Sequence, residues 1–263
     1  VDLSYSISAS TTRGATGESS TAMGYETTAS GYDSTAMGGG TTASGNASTA
    51  MGDNTTASGS VSTAMGLYTT ASGDYSTAMG RSTEASGDYS TAMGRDTEAS
   101  GDYSTAMGNG TTASGEVSTA MGQSTEASGT YSTAMGAVTT ASDYGSLVIG
   151  RYNSSGSTVT NSATAFSTAN TAFVIGNGAD GNNISDAFSI LFDGTTNIAG
   201  SVTATSFVGD GSQLTGITGS ASSLNDLTDV LVDSNSSMFL GTPPTNSTGI
   251  DNTALGENSL KLN

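Results

Sequence analysis

The chain has 263 residues with 5 Lys+Arg against 23 Asp+Glu, a formal net charge of -18, and neither His nor Cys. That balance excludes thiol nucleophiles, disulfides, imidazole bases and Cys/His metal sites, and it opposes nucleic-acid binding, which needs cations against phosphate. A hydrophobic fraction of 34% argues against a conventional core, and no apolar run approaches the roughly 20 residues of a membrane span. No basic-then-apolar leader opens at Val1, so a secretion signal is expected outside these residues.

Residues 1–19 read as a degenerate lead-in coil, with a worn copy of the following unit at 6–10 and 13–17. From 20 to 150 the chain is periodic. S-T-A-M-G occurs nine times, placing Met23, Met37, Met51, Met65, Met79, Met93, Met107, Met121 and Met135 at intervals of 14. Between them lies T-T/E-A-S-G, whose ninth copy at 139–143 ends in Asp143 instead of Gly. Ser146-Leu147-Val148-Ile149-Gly150 closes the series. Two Gly per repeat, at ~1 kcal/mol each, oppose a helix. The period instead predicts a short strand, a Gly turn, a second short strand and another turn. The expected class is all-β: a 14-residue-repeat parallel β-roll, or β-solenoid, of about ten coils at ~4.8 Å spacing, built into a homotrimeric fibre.

Side-chain alternation assigns the faces. Ser20 and Ala22 point one way, Thr21 and Met23 the other. The Thr28 position becomes Glu84, Glu98 and Glu126 in other coils, so it faces water. Thr27 and Ala29 then face inward, towards Ser20 and Ala22. Each coil therefore carries one outward Met, and a continuous apolar stripe on a rod needs a cover. The nine Met, continued by Ile149 and Ile175, are the expected contact between identical chains, for which unbranched Met is well suited. The alternative puts Met inside each coil and the small residues outside.

The unit S-T-A-M-G-x-x-T-T/E-A-S-G-x-x resembles the 14-residue head repeat of YadA-like trimeric adhesins, whose usual form is close to S-V-A-I-G-x-x-A-x-A-x-G. Thr21 stands where that family prefers Val, and Met23 where it prefers Ile. Ser146-Leu147-Val148-Ile149-Gly150 and Ala172-Phe173-Val174-Ile175-Gly176 are nearer the usual form. The resemblance implies left-handed parallel β-rolls joined as trimers, with the apolar pair at the axis.

Two further series recur within the array. Tyr75, Tyr89, Tyr103 and Tyr131 share one coil position, either as an aromatic strip for sugar or receptor contact or as a simple stacking ladder. Asp74, Asp88 and Asp102 share the preceding position, where like charges at ~4.8 Å form a solvated face or a cation-screened ladder.

Residues 151–205 hold most of the Phe and read as a larger β cap continuing the roll, with a hairpin. Phe166, Phe173, Val174, Ile175, Phe188, Ile190, Leu191 and Phe192 are the candidates for a compact core. The turn Gly178-Ala179-Asp180-Gly181-Asn182-Asn183 invites a calcium reading but lacks EF-hand spacing and a terminal Glu, and polar turn residues are the favoured explanation. Residues 206–247 read as a connector or neck with a rigid exit at Pro243-Pro244. Residues 206–217 resemble the F-x-G-D-G-S-x-L-T connector common in phage tail fibres, and Asn225-Asp226-Leu227-Thr228-Asp229-Val230 is similar to a segment that often follows it. Residues 248–263 start a further N-T-A-L-G array at Asn252, which in such fibres leads to a self-cleaving chaperone, so the chain is expected to be a fragment or processed product.

The expected function is structural and host-attaching: a receptor-binding segment of a trimeric phage tail fibre on the virion. Its expected partners are two further copies of itself and a cell-surface receptor, with a glycan as one candidate. No cofactor, metal, nucleic acid, membrane insertion or catalysis is expected, because the acids repeat along a rod and do not converge in a pair. The alternative is the head of a bacterial trimeric autotransporter adhesin on the cell surface. An ice-binding β-solenoid is a third class, opposed by the Glu residues that break the Thr28 series.

Overall fold

The computed structural model describes residues 1–5 and 13–206, and beyond them the backbone of three strands, Val230–Val232, Met238–Leu240 and Thr253–Leu255. The copy expected at 6–10, the connector from residue 207 onward, Asn225 to Asp229 and Pro243-Pro244 lie outside the described residues. Contacts divide the chain into two units, Val1–Thr203 and Ala204–Asn263.

In the first unit each repeat forms a five-residue strand and a two-residue strand, from Thr21–Tyr25 and Thr28–Ala29 to Thr133–Ala137 and Thr140–Ala141. Every strand pairs in parallel with the equivalent strand one repeat later. Thr21 lies opposite Thr35, Ala22 opposite Ala36 and Met23 opposite Met37, and this register continues without slip to Met121 opposite Met135. The long strands belong to one 14-stranded sheet and the short ones to a second, 10-stranded sheet.

The two sheets lie close because their facing side chains are small. Ala22 and Ala29 and all their repeats are fully buried, as are the Thr27 series and most of the Ser20 series. Among the fully buried residues of the nine S-T-A-M-G repeats the largest is Thr, so no space for a Met exists inside a coil. Met23 is 37% exposed and the other eight array Met are half-buried on the opposite side of the strand. The reading with Met inside the coil is thereby excluded.

Glycine sets the spacing between coils. At Gly24 φ is +121°, and a Cβ there would lie 2.1 Å from the Gly38 carbonyl oxygen; at Gly31 it would lie 2.0 Å from the Gly45 oxygen. Adjacent backbones cross too closely at both points for any side chain. The corners are left-handed too, but without glycine in most coils: Glu26 and Asp33 have φ of 52° and 55°, and even Val61, Val117 and Val138 adopt this region. β-Branched residues are strained there. A hydrogen-bond ladder holds them, since Tyr75 N–H donates to Ser60 O and Ser82 N–H to Leu67 O, each at 2.8 Å.

Both ends depart from the period. At the N-terminal end Asp2–Tyr5 pairs with Thr21–Tyr25, putting Leu3 opposite Met23, twenty residues on instead of fourteen. The lead-in coil thus has a long strand at Asp2–Tyr5. Its short strand, Gly14–Ala15, pairs with Thr28–Ala29 as the repeat predicts.

At the other end Leu147–Arg151 and then Thr171–Asn177 add parallel strands, with Ile149 opposite Met135 and Ile175 opposite Ile149. The chain then reverses, and Asp186–Leu191 and Thr196–Ile198 complete the long sheet as antiparallel strands. The short sheet stops at Thr140–Ala141, where a side chain substitutes for the next strand. Asn153 Oδ1 accepts from Thr140 N–H at 2.8 Å and its Nδ2 donates to Thr140 O at 2.9 Å. No short strand stacks on this one, so Asp143 replaces glycine without a clash. Its buried carboxylate accepts from Thr160 N–H at 2.6 Å and Thr171 N–H at 2.7 Å, tying the array to the cap.

The compact aromatic core expected within 151–205 does not form. Of its eight candidates Val174 alone is fully buried, and Phe166 is 61% exposed, edge-on to Phe192. Phe173, Ile175, Phe188 and Ile190 alternate with inward Val174 and Ser189, which directs them to the outer face. The core is instead the paired alanine ladder, extended by Val148 and Val174.

In the second unit Val230–Val232 runs antiparallel to Met238–Leu240, which pairs in parallel with Thr253–Leu255, the strand within the N-T-A-L-G segment.

Candidate functional site

The strand registers assemble one continuous outer column. Leu3 stands opposite Met23; the nine Met follow in order; then come Ile149, Ile175, Phe188 and Ile198. Each of the fourteen strands of the long sheet contributes one large apolar side chain. At ~4.8 Å per strand the column extends roughly 62 Å. Leu3 is 65% exposed, Met23 37% and Ile198 47%, with the other residues of the column half-buried.

Beside it runs a second column. It carries Thr21 and its eight repeats, then changes to Leu147, Phe173 and Ile190. Leu3, Phe188 and Ile198 escape sequence reasoning for definite reasons. Leu3 is out of phase with the 14-residue period, Phe188 lies on the strand that runs against the array, and Ile198 lies on the short strand beyond that reversal. Apolar alternation at Phe188-Ser189-Ile190 was the one local signal for Phe188.

At one corner Tyr75, Tyr89 and Tyr103 form an offset stack, with ring centroids 4.8 and 4.9 Å apart and planes within 4° of parallel. Tyr131 is not part of it: Val117 intervenes, and Tyr131 meets Tyr144 edge-on at 5.4 Å. Burial against its neighbours raises the Tyr89 phenol above its ordinary pKa, reinforced by Tyr75 and Tyr103. Because the stacked rings partly cover one another's faces, the strip presents mainly edges and hydroxyls.

The aspartates alongside are backbone ligands. Asp74, Asp88 and Asp102 each accept from a backbone N–H one coil earlier, on Ser60, Asp74 and Asp88, at 2.8, 2.9 and 3.0 Å. Those bonds offset their mutual repulsion without a cation. The Asp180 turn is likewise self-satisfied. Its carboxylate accepts from Asn182 and Asn183 N–H at 2.9 and 3.1 Å, and these bonds, the Asn182 N–H first, hold its pKa below the usual carboxylate value. Among the described residues no three acidic side chains gather for a metal ion. A groove of about 400 Å³ in the cap includes Asp186, whose oxygens are taken by Ser154 and Ser155 N–H at 2.8 and 2.7 Å.

The surface that stands out is therefore a long apolar stripe, without titratable groups, on a rigid repeat. The YadA head domain repeat matches the chain in five consecutive segments, 15–41, 43–69, 71–97, 99–125 and 127–153, together just over half its length. The chain belongs to the YadA head repeat family. No curated protein matches it. The YadA head repeat is a structural adhesin domain, not an enzyme family, and its place is extracellular or at a surface. The matched region ends at Asn153, the residue that closes the short sheet. Among the described residues no helix is long and apolar enough to cross a membrane.

Proposed function

We propose that this chain is the self-associating attachment segment of a trimeric fibre, with three copies meeting along the outer column. The observation that carries the proposal is the unbroken apolar series from Leu3 to Ile198 along the outer face of the long sheet. Exposed stripes of this extent mark association sites. Met at nine successive rungs gives packing that adapts around an axis. Three identical chains would present every other face three times, so that weak receptor contacts, the Tyr75–Tyr89–Tyr103 strip among the candidates, add through effective concentration.

The tail-fibre reading is favoured by the sequence of residues 206–217 and by the N-T-A-L-G unit at Asn252, both similar to phage fibre segments. The autotransporter head is the second reading, favoured by the family of the repeat itself. Sedimentation tests the association: a mass three times that of the 25.7 kDa chain supports it, and the mass of one chain sinks it. The neighbouring genes separate the two settings. Tail-assembly and lysis genes support the fibre, whereas a secretion and membrane-anchor module supports the adhesin.

A further inference from the structure

We infer that the apolar block at the C-terminal end of the column, Leu147/Ile149, Phe173/Ile175 and Ile190/Phe188, sets the register between associating chains. The inference rests on the self-association proposed above. Within the array, nine successive rungs carry the same Thr/Met pair at the same spacing. A copy displaced by one or two coils meets the same chemistry at every remaining rung, so the array alone distinguishes registers weakly. The block is different. Three adjacent rungs carry two large apolar residues each, in three different pairings, and Phe173 and Phe188 lie 6.0 Å apart as a tilted aromatic pair. Displacement by one coil would set Leu147 and Ile149 against Thr133 and Met135, losing apolar cover and facing hydroxyls. Only the in-register arrangement buries all three rungs against their own kind. The discriminating contacts lie at the end of the roll, from its closing rung Leu147/Ile149 to the first antiparallel strand at Ile190/Phe188.

The absence of Cys from the sequence makes the test direct. Chains carrying Thr63→Cys are refolded together with chains carrying Thr91→Cys, and disulfide partners are identified by mass spectrometry. These positions are two coils apart, roughly 9.6 Å along the column, beyond the ~7 Å between Cα atoms that a disulfide spans. With the block intact, links should join 63 to 63 and 91 to 91 only. With the block rewritten as array rungs (Leu147→Thr, Ile149→Met, Phe173→Thr, Ile175→Met, Phe188→Met, Ile190→Thr), 63-to-91 links should become comparable to in-register ones. Copying two block rungs into that variant (Thr105→Leu, Met107→Ile, Thr119→Phe, Met121→Ile) should suppress them again. Offset links with the block intact, or none once it is rewritten, would overturn the inference. Absence of any interchain link with the block intact would instead overturn the self-association on which it rests.

Discussion

Gly94 has φ of +130°, and a Cβ there would lie 2.0 Å from the Gly108 carbonyl oxygen. The obstacle is the backbone of the next coil, which cannot move without breaking its own ladder. Gly94→Ala should therefore destabilise the roll by about 3 kcal/mol, measured by denaturant unfolding. The corner at Val117 is strained in the opposite sense, because a β-branched residue is held at φ 55° by its neighbours. Val117→Asn, which tolerates that region, should stabilise by about 1 kcal/mol; a loss of stability would refute the strain. Inside the coil, the Thr27 series buries hydroxyls that find no partner. Thr83→Val keeps the shape and removes the unpaired group, so thermal melting should stay level or rise.

At the scale of elements, the short sheet depends on how it ends. Asn153→Ala would strip both the N–H and C=O of Thr140 of their partners, costing about 2 kcal/mol. Hydrogen exchange should show the loss first at Thr140 and Ala141, with mid-array amides unchanged; uniform loss would mean Asn153 is not a local cap. These elements differ in how readable they were. The strand pairs of the array followed from Gly spacing and from Glu84 occupying a Thr28-type position, because each coil repeats the same constraint. Asp143 was visible as a departure from Gly, but its bonds to Thr160 and Thr171 were not, since Phe173 lies 26 residues after Leu147 where the period is 14, an insertion of 12 residues between the rungs it ties together. The Phe residues misled for a physical reason. Apolar density predicts burial, yet alternation around Val174 directs Phe173 and Ile175 outward, onto the stripe.

For the whole molecule, small residues lie inside each coil and Met outside, and the proposed trimer makes that outer Met the surface between chains. Met79 and Ala85 lie six residues apart on opposite sides of that division, half-buried and fully buried respectively. Met79→Glu should leave the coil folded, because the side chain points outward, but should dissociate the assembly by placing three carboxylates together away from water, at a cost of several kcal/mol. Ala85→Leu should do the reverse, overpacking and unfolding the coil itself. The most direct measurement is sedimentation of the two variants beside the parent, with circular dichroism on the same samples. The account predicts a trimeric parent, a monomeric Met79→Glu that keeps its β signal, and an Ala85→Leu that loses it. A Met79→Glu chain that sediments as the parent does, or an Ala85→Leu chain that folds normally, would contradict it.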